Sequence, residues 1–163
     1  MHALFDEWLK LAEHIGTVCV AEMRVVTGAE SCTGGLIAAV LTSVSGSSAW
    51  VDRGFVTYSN EAKMEMLGVA PATLDAFGAV SEETAREMAA GALKNSKATI
   101  AFSVTGVAGP TGGTVTKPVG MVCFGFASAH SVSSATKYFQ GDRSAVREQS
   151  VNFVLAQLSR ARI

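Results

Sequence analysis

Apolar residues recur at helical spacing near the start of the chain, at Leu4, Trp8, Leu11 and Ile15, with charged residues between them, and Val18, Val20 and Met23 follow as a second group. The pattern predicts an amphipathic helical segment over 1–23. Next, Val25 to Glu30 forms a β-branched run ending in small residues, and Leu36, Ile37, Val40 and Leu41 then return to helical period. This is a strand-turn-helix unit with Ser31 at the turn. Phe55 to Ser59 reads as a second strand, and Ser59 or Asn60 can cap a short helix that carries Lys63 in its first turn and stops at Gly68.

Further on, Ser81 followed by two glutamates marks a helix start, which leads into the buried-type run ATIAFSVTGVAG. GMVCFGFAS and SVSSATKYFQ resemble an adjacent strand pair. Asp142 then caps a last helix. Helices alternate with strands until that late pair, so the expected fold class is α/β, a single layered domain over 1–163 with a mixed β-sheet flanked by helices.

Composition narrows the possible functions. A chain of 163 residues with 48% hydrophobic content can build one core that buries about two-thirds of its unfolded surface. A balance of 13 Lys and Arg against 14 Asp and Glu offers no broad field for nucleic acid or an anionic membrane, so any anion must be held locally. Cys19, Cys32 and Cys123 lie far apart without CxxC spacing, which suits a reducing compartment rather than a disulfide framework or zinc site. Charged residues interrupt the opening segment and no run approaches a membrane span, so a cytoplasmic protein is expected.

AESCTGG carries the first candidate chemistry. Amides at a helix amino end lack intrahelical partners, so those around Cys32, Thr33, Gly34 and Gly35 would face a hydroxyl at Ser31 as an oxyanion hole. The two glycines permit close backbone approach. The plainer reading makes Ser31 or Thr33 an ordinary cap. A serine nucleophile needs a base, and His2, His14 and His130 fall in no motif that brings them to the turn. Lysine or tyrosine remains. Tyr58 ends a strand, and Lys63 sits where a helix dipole disfavours the ammonium ion, although that effect is under about 1 kcal/mol and burial must supply the rest. Otherwise Lys63 is a solvated residue near Glu61 and Glu65. A second nucleophile candidate is Cys32, whose thiol could ionise at a helix amino end.

GVAGPTGGTVTKPVG, with Gly106 at its head, has the composition of a backbone nest for an anion or carboxamide but lacks the register of an ATP-binding P-loop. Arg143 and Arg147 lie four residues apart on one helix face, an unfavourable like-charge pair unless an anion such as a phosphate bridges it. No metal-binding spacing is present, so no catalytic metal is expected.

Taken together and in this order, AESCTGG, YSNEAK, VTGVAGPTGGTVTKPVG and FQGDRSAVR resemble the CinA carboxy-terminal domain family of nicotinamide-nucleotide amidohydrolases, in its stand-alone form, from about Val25 onward. The resemblance implies hydrolysis of nicotinamide mononucleotide to nicotinate mononucleotide and ammonia without a metal or organic cofactor. Its serine matches Ser31, its tyrosine and lysine match Tyr58 and Lys63, and its threonine matches Thr105. Its arginine matches Arg147, with Arg143 beside it. Members of the family associate, so a homo-oligomer is expected, with a pyridine nucleotide as the small-molecule partner. The alternative from another class is a non-catalytic nucleotide-binding or competence-associated interaction module that keeps the pocket without the chemistry.

Overall fold

A computed structural model describes residues 2–160, so both extreme ends of the expected 1–163 domain lie outside the described residues. Within them the order is α1 (His2–Ala21), β1 (Val26–Glu30), α2 (Leu36–Thr42), β2 (Val51–Val56), α3 (Asn60–Leu67), α4 (Pro71–Phe77), α5 (Glu82–Lys94), β3 (Ile100–Gly106), β4 (Met121–Ser128), β5 (Val132–Tyr138) and α6 (Arg143–Leu158). The strands form one sheet in the order β2-β1-β3-β4-β5. β1 pairs parallel with both β2 and β3, whereas β3–β4 and β4–β5 are antiparallel, so the sheet is mixed as the alternating pattern predicts.

Strand alternation decides what each face of the sheet carries. Ile100, Phe102 and Val104 of β3, with Val122, Phe124 and Phe126 of β4, turn large side chains toward one face, where Trp8, Ile15, Ile37, Leu41 and Leu155 complete a core with α1, α2 and α6. The opposite face is lined with small residues. Ala29, Ala101 and Ala127 meet Met88, Ala89 and Ala92 of α5, and a Cβ on Gly125 would come within 2.2 Å of the Ala85 carbonyl oxygen. Small against small lets α5 lie close to the sheet, and Ser103 Oγ donates 2.6 Å to that same carbonyl.

The structure corrects three sequence expectations. β2 spans Val51–Val56 rather than Phe55 to Ser59. Its extent follows its parallel partner, Val26↔Val51 through Glu30↔Val56, and as an edge strand it needs no regular apolar alternation. Ser59 leaves the strand to cap α3, its side chain accepting from the Ala62 amide. No element is assigned from sequence between Gly68 and Ser81, yet α4 forms there with Pro71 at its first position, where its ring fits the helix and its missing N–H costs nothing. Finally, α2 begins only at Leu36 because Gly34 and Gly35 hold φ values of 61° and 95°, outside the right-handed helix.

Among the described residues no helix is long and apolar enough to cross a membrane.

Candidate active site

Three parallel strands end at the same edge of the sheet, and the chain leaves β1 for β2 on one side while β3 stands on the other. A crevice at the carboxyl ends of strands forms where connections diverge in this way. Ser31 follows β1 directly, and its amide donates to the Val104 carbonyl of β3 at 2.9 Å, which sets the hydroxyl in that crevice. The Thr57 amide donates to the Glu30 carbonyl at 2.9 Å, carrying the β1–β2 ladder one step past the strand. From there Ser59 caps α3, and Lys63 on the first turn points back beneath the sheet edge.

Lys63 is 1% exposed. Its Nζ lies 3.1 Å from Ser31 Oγ and donates to the Thr57 carbonyl at 2.9 Å. Among the described residues no carboxylate pairs with it. Burial without a counter-charge pushes the Lys63 pKa below the ordinary lysine value. A neutral amine presents a lone pair, so the contact with Ser31 can run as Oγ–H donating to nitrogen. This is the arrangement an activated serine needs.

The turn after Ser31 differs from an open helix terminus. Gly34 donates to the Ser31 carbonyl at 3.0 Å, and Gly35 donates to Glu30 Oε2 at 3.1 Å. Those two amides, expected to face the ligand, are engaged within the protein. The amides of Cys32 and Thr33 meet no oxygen acceptor among the described residues. Both adjoin Ser31; Cys32 lines the cavity there, whereas Thr33 is fully buried and does not.

Burial pushes the Cys32 thiol up to about 12, with a smaller push from Glu30, and its own backbone amide, Arg147 and Lys63 offset only part of the rise. The expectation of an easily ionised Cys32 is therefore corrected. The helix amino end that would have lowered its pKa is already occupied by the Glu30 carboxylate, and burial prevails.

The cavity beside Ser31 has a volume of about 210 Å³, and Tyr58, Lys63, Thr105, Gly106 and Arg143 contribute to its wall. Asn60 and Ala108 also line it from within YSNEAK and VTGVAGPTGGTVTKPVG, neither singled out there by residue type, and Ala79 and Val80 line it from the segment before α5, which no motif covered. Thr105 Oγ1 donates to the Ala79 carbonyl at 2.8 Å and so holds the segment before α5 as one wall. Tyr58 is 63% exposed, and its hydroxyl accepts from Arg143 Nη2 at 3.1 Å. The structure thus brings Tyr58 to the mouth, while Lys63 reaches Ser31 without it.

The two arginines part company. Arg143 lines the Ser31 cavity and donates through Nη1 to the Gly109 carbonyl at 2.9 Å. Arg147 lies behind the turn, donating to the Thr33 carbonyl at 3.2 Å, and lines a separate hollow with Phe5, Trp8 and Leu36. His14 and His130 are exposed and line neither. A larger groove of about 630 Å³ between α1 and Trp50 has Glu13 as its one ionisable side chain, with no base paired to a nucleophile.

Residues 9–161 match the family model described as the CinA C-terminal domain. Over 147 residues, covering 90% of each chain, the sequence is 54% identical to the nicotinamide-nucleotide amidohydrolase PncC of Enterobacter agglomerans. The PncC of Escherichia coli K12 is 51% identical over 154 residues, 94% of this chain and 93% of the relative. The crystal structure of the competence/damage inducible protein CihA from Agrobacterium tumefaciens superimposes with a TM-score of 0.89 at 48% identity, covering 93% of both chains. With this match over nearly its whole length, and with a serine and a buried lysine in contact at the sheet edge, the chain belongs to the CinA C-terminal domain family.

Proposed function

We propose that this chain hydrolyses the carboxamide of nicotinamide mononucleotide to nicotinate mononucleotide and ammonia, with Ser31 as nucleophile and Lys63 as base. The observation that carries the reading is the 3.1 Å approach of a buried amine to Ser31 Oγ. The amidohydrolase names of two relatives above half identity support the substrate class.

The steps follow from the geometry. Neutral Lys63 takes the Ser31 proton as Oγ bonds to the carboxamide carbon, and the carbonyl oxygen gathers charge facing the Cys32 and Thr33 amides. As the C–N bond breaks, the Lys63 ammonium returns its proton to the departing nitrogen, which leaves as ammonia. Water then gives a proton to Lys63 while its oxygen attacks the acyl carbon; the Ser31 oxygen leaves and recovers the proton. The substrate's pyridinium ring is cationic, and a neutral base avoids like-charge repulsion beside it.

The cavity of about 210 Å³ is smaller than the roughly 300–1,000 Å³ that encloses a whole drug-sized ligand. It takes the ring and carboxamide, leaving ribose and phosphate at the mouth, where Arg143 and the Tyr58 hydroxyl stand. The three cysteines, all buried and unpaired, suit work in a reducing cytoplasm.

The test is incubation of purified protein with nicotinamide mononucleotide while following ammonia and nicotinate mononucleotide together, with Ser31→Ala as control. Product from wild type alone is expected. Equal turnover by Ser31→Ala removes the nucleophile, and ligand binding without ammonia release favours a binding module.

A further inference from the structure

Glu30 immediately precedes the nucleophile and takes no part in the proton transfers, yet it is 2% exposed. Its Oε2 accepts from the amides of Gly35 and Ile37, each at 3.1 Å, and its Oε1 accepts from Ala38 at 2.8 Å. The main chain of Glu30 is fixed independently, because its carbonyl accepts from Thr57 and it pairs with Val104 and Val56 in the sheet. Residues 31–35 are therefore closed into a ring, with the sheet at one end and the Glu30 carboxylate at the other.

Closing that ring has two consequences. It consumes the amides that would otherwise attract an anion to the start of α2, so a phosphate has no seat there. Among the described residues it also leaves the Cys32 and Thr33 amides as the turn's N–H groups without an oxygen acceptor, adjacent to Ser31. We propose that Glu30 is a positioning residue, the protein's own anion, which shapes the Ser31–Gly35 turn, aims the Cys32 and Thr33 amides at the reacting carboxamide and directs the substrate's phosphate to the Arg143 end. This rests on the amidohydrolase reading and extends it to a residue outside the proton path.

Glutamine has nearly the same shape but replaces one acceptor oxygen with an NH2 donor. Three converging N–H groups then face one oxygen, and at least one meets another donor. The turn must shift, while the ring pocket and Arg143 are untouched. Glu30→Gln is therefore expected to lower kcat by about 100-fold or more, the scale of losing an oxyanion donor, with KM and affinity for nicotinate mononucleotide within about threefold of wild type.

The experiment is steady-state ammonia release by wild type, Glu30→Gln and Glu30→Asp, with product binding and thermal unfolding measured on the same samples. Asp keeps both oxygens but falls one methylene short, so it is expected to show the same split and serves where Gln does not fold. A folded variant with kcat within threefold of wild type overturns the proposal, as does a loss of kcat matched by an equal loss of product binding. If wild type releases no ammonia, the amidohydrolase reading fails by itself. Glu30 is then judged by labelling of Ser31 with phenylmethylsulfonyl fluoride: labelling at least tenfold slower in the variant supports the role, and equal rates overturn it.

Discussion

The Lys63 amine is held between Ser31 Oγ and the Thr57 carbonyl, with no carboxylate paired to it among the described residues, and its pKa is lowered by burial. Between that lowered value and the ordinary lysine value of about 10.4 the unfolded chain binds a proton that the folded protein does not, so stability rises with pH through this window and is lowest below it. Lys63→Met removes the titration. Its stability relative to wild type should be greatest near neutral pH and decline as pH approaches 10, as read by urea unfolding at pH 7 and pH 9.5. A pH-independent difference would mean that Lys63 is not depressed. Turnover should fall at least 1000-fold, and the acid limb of wild-type kcat/KM should follow the same deprotonation. This pair was legible in the sequence because a turn serine and a first-turn lysine are local features of their own elements. The role of Glu30 was not: a carboxylate ending a strand reads as solvent-facing, and only the fold-back onto Gly35, Ile37 and Ala38 reveals a cap. The arginines were ambiguous for a related reason. Residues four positions apart on a helix share a face but stand about 6 Å apart along the axis, enough to reach different loops.

At the scale of elements, β4 and α5 have little room to adjust. A Cβ at Gly125 would stand 2.2 Å from the Ala85 carbonyl oxygen and 2.6 Å from Ser103 Oγ. The first of these is backbone and cannot rotate away. Gly125→Ala should destabilise the fold by about 1–3 kcal/mol in denaturant unfolding, the usual cost of overpacking, while turnover per folded molecule persists because the crevice lies at the strand ends. Unchanged stability would show that α5 can lift from the sheet. The GMVCFGFAS pattern located the strand but not this contact, since the identity of the opposing helix residue depends on tertiary register. Likewise β2 was displaced in the reading because its ends are set by β1, a partner that no local pattern records.

Across the whole molecule, the cavity draws on the ends of β1 and β3, the start of α3, the segment before α5 and the start of α6. Under the proposed reaction its reactive end is Ser31 and Lys63, and its charged end is Arg143. Arg143→Ala should raise KM for nicotinamide mononucleotide about tenfold or more with kcat little changed, and should erase the preference for the mononucleotide over nicotinamide riboside. Parallel kinetics on both substrates would read this; a preserved preference would place the phosphate elsewhere.

Ser31, Thr57 and Lys63 all come from the first 63 residues of the chain, whereas Ala79, Val80, Thr105 and Arg143 come later. Under the proposed reaction the proton-handling pair lies wholly in the first stretch, while most of the recognising wall, Tyr58 and Asn60 excepted, lies in the second. Descendants of one ancestor can keep the same bond-breaking apparatus while the later stretch drifts to admit a different amide, so divergence in substrate should be written mainly downstream of Lys63.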